Sequence, residues 1–443
     1  MNSRRLFPIT PLVALALLGL AFAANNLWAD AMERITLDKL KATRDSVEAL
    51  KQDREEVSLE SEFQDYRAAM HVHSLLSHDS RSKPEEVAAG AKAAGVKIVM
   101  FTEHPAPHYD YFKGGHRRML DGVLLIPGAE QTGLQLYPQA SVPREIKGGP
   151  QATVDAVRAT KGQTFLCHLE ERMDWELDNL TGSEIYNLHA DFKDEKNLIK
   201  ALKNPLGLLT LFPANKQYPQ ETLAALLDYP ADYLKRWDEL CRKSKLTGIA
   251  ANDAHHNQGL RAVVQDDGKV RIEDALGENG ISIDADKIPL LIKPLIASAK
   301  PGEIKMLLDL DPYERSFKHV STHLFLKEQT EPEVRAALEA GRAYVSFDWM
   351  ADPTGFNFQA TSSGKVFEMG SDVKPAADLK LRAVSPLPTR FRLIRDGKEV
   401  HSELGRKFEY AVGQPGIYRI ELWLNLAAGP QIWVLSNPIY VRG

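Results

Sequence analysis

Cysteine is almost absent: Cys167 and Cys241 are the only two among 443 residues. Two cysteines cannot build a disulfide framework, and no zinc-finger spacing is present. Cys167 reads as a buried thiol, with a bridge to Cys241 as the alternative. An excess of positive charge is also missing, since 55 Lys and Arg face 60 Asp and Glu, for a formal net charge of -5. A general nucleic-acid binder needs a basic face, so that class is excluded. There is no internal repeat, no low-complexity tract and no Gly-x-Ser-x-Gly nucleophile elbow. Only one long apolar run occurs, near the N-terminus. Arg4 and Arg5 precede an apolar stretch over 6–23, and Ala21-Phe-Ala23 and Ala29-Asp-Ala31 are small-residue cleavage patterns. This reads as a signal peptide over 1–23, with cleavage as late as 31 as a second site. It implies a periplasmic or secreted protein with no stable membrane insertion after processing. A retained anchor is the alternative.

What the chain does have is ordinary globular chemistry, 44% hydrophobic and 26% charged, in a length that allows two or three domains. Residues 32–61 are charged and helix-compatible, with Leu37, Leu40, Val47 and Leu50 on one stripe. Residues 83–95 predict a helix entered through Pro84 and closed by Gly95. Residues 330–341 predict another, capped by Thr330 and Gly341, and 342–347 a strand. Residues 265–320 read as an insertion, with short helices over 265–300. From 353 to 443 short alternating strands over 379–384, 390–395, 407–412, 418–424 and 432–435, separated by turn signals, predict a β-sandwich.

The informative feature is where ionisable residues fall. His71 and His73 lie at the end of a run, 66–72, that reads as a strand. A period of two puts both imidazoles on one face, where neutral imidazoles can grip a metal. Asp79 follows after a short loop. Downstream, Asp253 and His255 repeat the spacing after the apolar run 246–251. Between them, His104, Glu130 and His168 each close an apolar run of buried-strand type. Strands of this kind are parallel and covered on both faces, and in α/β barrels the chemistry gathers at their C-terminal ends.

The order His-Val-His, then Phe-Thr-Glu-His104, an isolated Glu130, an isolated His168 and a late Asp253-Ala-His255 resembles the PHP (polymerase and histidinol phosphatase) superfamily. The resemblance covers about residues 64–260, with a tail to about 350. Glu103 stands where that family usually has Asp. Short segments (Gly341-Arg-Ala-Tyr344, Gly355-Phe356 and Ser436-Asn-Pro-Ile-Tyr440) are similar to its carbaryl-hydrolase-like branch. The resemblance implies an α/β fold, a distorted (β/α)7 barrel over 62–350, with two or three divalent metals. Histidine and carboxylate donors suit zinc, manganese or iron. By the same resemblance His71, His73, Glu130 and Asp253 hold one metal. Glu130 bridges to a second held by His168 and His189, with Glu184 and Asn187 as the next choices should His189 not be the ligand. Asp79, His104 and His255 hold a third. Glu130, Asp253 and His255 then carry the catalysis.

The implied reaction is hydrolysis of a phosphate ester by a water ionised between cations. The substrate is a small-molecule ester, with Arg81, Arg117, Arg118 and Arg172 as candidates to orient its phosphate. The aromatic loop 105–116 is expected to wall or cover the pocket. Two other readings stay open: a carboxylic or carbamic ester hydrolase using the same site, and a non-catalytic secreted binding protein. Oligomeric state is not encoded in any pattern found. His78, His108 and His256 adjoin the motifs, as second-layer or substrate-facing groups or as solvated loop residues. His116, His319, His323 and His401 read as ordinary structural histidines.

Overall fold

The computed structural model describes residues 31–106, 110, 112–202, 205–288 and 293–443. The expected signal peptide lies outside the described residues, as do Pro107, His108, Tyr109 and Tyr111 of the expected covering loop. Among the described residues no helix is long and apolar enough to cross a membrane.

The architecture is mixed α/β. Strand Gln64–Val72 runs parallel to Ile98–Phe101, which runs parallel to Val123–Ile126. Helix Pro84–Ala93 makes the first crossover, with Pro84 in its first turn and Gly95 left-handed (φ 78°) just past its end. Its buried face is Val87, Ala88 and Ala91. Gly90 permits close approach of helix Tyr313–His319: a Cβ there would sit 2.6 Å from Tyr313 Cβ. A second sheet takes Ala129–Gln131, Leu134–Tyr137, Gln163–Leu166, Gly182–Asn187 and Thr247–Ala251 in order, the last three parallel. Two isolated parallel bridges, Val72↔Ala254 and Glu103↔Ala129, join the two sheets. Buried parallel strands therefore form where the apolar runs predict them. Antiparallel pairs interrupt them at Leu134–Tyr137 and at Ser321–Leu326, which pairs with Gln64–Val72.

Ala343–Ser346 pairs with Gly429–Ser436, so the first sheet continues without a break into the C-terminal strands, 14 in all. Two short strands expected over 379–384 and 390–395 are one, Lys380–Arg395. Pro386 and Pro388 lie where its register shifts, between Val384 and Thr389, and where its partner changes from Asn357–Ser362 to Gly416–Leu426. Proline donates no ladder hydrogen bond and is tolerated at such an irregularity. The helices expected over 265–300 are mostly strands: Gly259–Val264, Lys269–Asp274, Gly280–Asp284 and Ile304–Asp309 form an antiparallel sheet. Gly268 and Gly277, at φ 79° and 80°, make its turns. Among the described residues there, Ala285–Lys287 and Lys293–Ile296 are helical.

The N-terminal helix stops at Gln52, short of the expected 61, and packs on the rest of the chain. Leu40 and Val47 are buried. Arg44 grips Glu221 with two bonds of 2.9 and 2.6 Å, and Arg34 pairs with Glu195 at 2.8 Å.

Asn437 stitches the C-terminal strands to the second sheet. Its side chain accepts from Gly248 N–H (2.7 Å) and donates to the carbonyls of Gly248 (3.0 Å) and Ala343 (2.9 Å). Asn437→Ala leaves a buried N–H without a partner, and denaturant unfolding should show a loss of about 1–3 kcal/mol. An unchanged midpoint would show that the stitch is dispensable.

Candidate metal centre

Two backbone triplets build the centre. His71-Val72-His73 and Asp253-Ala254-His255 lie side by side: His73 N–H donates to Ala254 O (3.0 Å), and Ala254 N–H to His71 O (3.2 Å). Val72 and Ala254 turn outward into a core with Val87, Phe101 and Phe317, which leaves all four flanking side chains turned the other way. The strand is not regular here. Its register shifts between Met70 and Val72, and His71 is left-handed at φ 60°, as are Asp253 (46°) and His168 (47°). Non-glycine residues in this region are strained by about 1–3 kcal/mol, and such strain gathers at functional sites. The bulge keeps the His71 and His73 ring centroids 5.2 Å apart, and His73 stacks on His255 at 4.0 Å.

All nine candidate ligands converge. Four overlapping groups have donor atoms within 4.8 Å of one another: His73, Asp79, His104 and His255; His71, His73 and Asp253; His71, Glu130 and His168; His189, Asp253 and His255. Glu130 faces two ways, with Oε1 3.3 Å from His168 and Oε2 3.2 Å from His71. Asp253 divides similarly: Oδ1 lies 3.3 Å from His71 and 3.4 Å from His73, while Oδ2 lies 3.4 Å from His168 and 3.5 Å from His189. His189 thus falls beside Asp253 and His255, whereas the family pattern grouped it with Glu130 and His168. Asp79 Oδ2 is 3.2 Å from both His104 and His255.

A second layer fixes the rings. Glu184, the next choice after His189 as a ligand, lies behind His71 and His168. It accepts from His71 Nδ1 (2.7 Å), His168 N–H (2.8 Å), Gln135 (2.7 Å) and Asn187 (3.1 Å). A proton held on Nδ1 leaves His71 Nε2 free to coordinate. Asn187 also caps the helix that starts at Leu188 and carries His189, accepting from Ala190 N–H at 3.0 Å. Ser77 Oγ meets His73 Nδ1 (3.1 Å) and Glu103 (2.7 Å) and accepts from His104 N–H (2.9 Å). Tyr313 donates to His73 O at 2.7 Å, and Ser80 to His255 O at 2.9 Å. Sequence reasoning missed Gln135, Ser77, Ser80 and Tyr313. Gln135 left a signal, as a polar residue between Leu134 and Leu136 in a fully buried strand.

The charges interlock. Burial opposes a proton on His71, but Asp253, Glu130 and Glu184 outweigh it and hold the ring well above the usual histidine range. Burial pushes His73 down to about 3, and neighbouring His255 adds to this. Burial alone would raise Glu130 and Asp253, yet the surrounding imidazoles hold both well below the usual carboxylate range. His168, despite burial, is pushed up to about 10 by Glu130 and Glu170. The donor set fits divalent cations on a further count. His73 Nε2 and Asp79 Oδ1 are buried with no hydrogen-bond partner. Such orphans cost about 1–3 kcal/mol each unless something satisfies them, and an imidazole nitrogen and a carboxylate oxygen are both metal donors.

The arginines are engaged elsewhere. Arg81 pairs with Glu278 (2.8 Å), Arg118 with Glu85 (2.7 Å) and Arg117 with Glu331. Arg172 donates to the carbonyls of Cys167 (3.2 Å) and His168 (3.0 Å). Exposed guanidinium groups take the nearest carboxylates, and Arg172 supports the His168 backbone. His78 is exposed, 4.9 Å from the His104 ring, and His256 pairs with Glu86 and Asp309. His116 reaches Ser74 Oγ (3.2 Å), His319 meets Tyr186 OH (3.0 Å), and His323 lies between Asp65 and Asp348. Cys167 and Cys241 are free and buried, and Cys167 Sγ lies 3.7 Å from Glu130.

Cation binding at this centre must displace protons from His71 and His168. Since His168 is pushed up to about 10, it is protonated at neutral pH in the metal-free protein, and affinity should rise as pH rises from 6 to 8. Calorimetric titration with Zn²⁺ in buffers of different ionisation enthalpy should record proton release. Affinity independent of pH, with no proton released, would contradict this charge distribution.

No family model matches the chain, and no curated protein matches it. Among solved structures, it is similar to a two-domain protein from Bacteroides vulgatus containing a predicted PHP-like metal-dependent phosphoesterase. The identity is 14% and the TM-score 0.36, over 88% of this chain and 99% of that one.

Proposed function

We propose that the chain is a metal-dependent hydrolase of PHP type, a phosphoesterase that cleaves a phosphate ester. The observation that carries this is the set of four overlapping donor groups sharing His71, His73, Asp253 and His255. Overlapping groups suit neighbouring cations, and the His/Asp/Glu donor set suits zinc, manganese or iron. Glu130 and Asp253 would each lend one oxygen to either side. His71, His73, His104, His168, His189, His255 and Asp79 would complete the coordination. Divalent cations held there supply Lewis acidity and lower the pKa of water.

The chain's own groups do the rest. Glu184 and Ser77 keep Nδ1 of His71 and His73 occupied, so that each Nε2 faces inward. Tyr313 and Ser80 hold the carbonyls of the two ligand triplets. Asp79 and His104, each with a side chain 26% exposed, form the accessible side, where an ester would enter. We read the two bridged sheets as a distorted (β/α)7 barrel and the C-terminal strands as the β-sandwich module of the carbaryl-hydrolase-like branch. The N-terminal Arg4-Arg5 leader supports action outside the cytoplasm.

Chelation should abolish hydrolysis and lower the melting temperature, and cation should restore both. A panel of phosphomonoesters, phosphodiesters and aryl esters reads the substrate class, and turnover of aryl esters alone would overturn the phosphoesterase reading. Glu130→Gln should reduce kcat/KM by about 10²-fold or more. His319→Gln, per folded molecule, should change it little. Equal losses in the two variants would refute the role given to Glu130.

A further inference from the structure

His168 presents its two nitrogens to different partners. Nε2 faces Glu130 and Asp253 at 3.3 and 3.4 Å, while Nδ1 meets Glu170 Oε1 at 3.2 Å. The other oxygen of Glu170 accepts the Tyr233 hydroxyl. Glu170 and Tyr233 line a cavity of about 540 Å³, on the Nδ1 side of the ring. A group bound among the metal-facing donors would meet Nε2 instead. Glu170 and Tyr233 therefore act through His168.

Tyr233 stands on helix Ala231–Cys241, which also carries Asp238. Asp238 takes both arms of Arg419, at 2.8 and 2.9 Å, from the C-terminal strand Gly416–Leu426. Their side chains are only 8% and 5% exposed. Arg419 also pairs with Glu421 (2.6 Å), and Glu421 accepts Tyr229 OH (2.8 Å) just before the helix. Trp237, between these anchors, lies so close to Gly248 that a Cβ there would come within 2.7 Å of it. The helix is held from the C-terminal side and presses on strand Thr247–Ala251, which leads to Asp253.

We propose that Glu170 and Tyr233 are positioning residues for His168, and that the C-terminal domain anchors them through Asp238 and Arg419. This rests on the reading of His168 as a metal ligand. A ligating imidazole needs its second nitrogen held by an acceptor, which sets the ring plane and raises its basicity. Glu170, with a side chain 27% exposed, would swing without a second anchor, and the Tyr233 hydroxyl supplies it through a charge-assisted bond.

The test is calorimetric titration of the full chain with Zn²⁺, repeated across pH, for wild type and for Tyr233→Phe, Glu170→Gln, Asp238→Asn and Arg419→Lys. Tyr233→Phe and Glu170→Gln should weaken one cation by about tenfold, with the metal-free circular dichroism and melting temperature unchanged. Glu170→Gln keeps the shape and loses the charge, so it should also alter the pH dependence of that affinity. Arg419→Lys or Asp238→Asn should weaken the same cation. If Tyr233→Phe and Glu170→Gln lower the metal-free melting temperature but leave affinity at the wild-type value, the pair is merely structural and the proposal fails. A wild-type chain that takes up no Zn²⁺ would overturn the metal-centre reading itself, and this proposal with it.

Discussion

The centre depends on one backbone contact, the bridge between Val72 and Ala254. It locks two ligand triplets, remote in sequence, at a fixed offset. Everything polar about the triplets follows from it. Because Val72 and Ala254 turn into an apolar core, the residues on either side of each turn away from that core. The left-handed conformations of His71 and Asp253 are part of the same arrangement. Histidine and aspartate enter that region more readily than β-branched residues, so the residue types that bind metal are also ones that tolerate the geometry.

A cluster of six imidazoles and three carboxylates in a largely buried place needs internal compensation. Burying a charge alone is costly, and the group would neutralise instead. Here the compensation is alternation: Glu130 and Asp253 lie between rings, and Glu184 sits behind two of them with four donors directed at it. Glu184 lies outside the four donor groups, yet it sets how His71 is presented. The same layer explains why the centre tolerates two orphaned atoms. His73 Nε2 and Asp79 Oδ1 are held in place by partners on their other atoms, Ser77 on His73 Nδ1 and the rings of His104 and His255 on Asp79 Oδ2. Neither can relax away to find a hydrogen bond.

What was legible in the sequence was the position of an ionisable residue at the end of an apolar run. That rule located His104, Glu130 and His168 because a buried strand has few places for a charge, and its end is one. It could not show the bulge at His71, since a left-handed residue changes register without changing composition. Nor could it place Glu184, which sits within a buried strand rather than at its end. Arg81, Arg117, Arg118 and Arg172 drew attention only by nearness in sequence to the ligands. Nearness along a loop does not fix direction, and each found another partner. The strands of 259–309 were obscured by mixed polarity, because that sheet is only partly covered and its alternation is weak. The Lys380–Arg395 strand was obscured by its two prolines, which mark a change of partner rather than an end.

The C-terminal strands read as a separate module in sequence, and in the fold they share a sheet with the first strands. One sheet runs through both regions by way of Ala343–Ser346. Two buried contacts then reach from those strands toward the strands that carry ligands: Asn437 at Gly248 and Arg419 at Asp238. A bidentate guanidinium–carboxylate pair is directional as well as strong, and burial protects it from screening by salt. Asp238 therefore cannot turn without Arg419, and helix Ala231–Cys241 is fixed at that end. Tyr229, donating to Glu421 at 2.8 Å, holds the chain just before its other end. Trp237 packs on Gly248 between the two. The last strand before Asp253 is therefore supported by groups that would look, from sequence alone, like the interior of an unrelated domain.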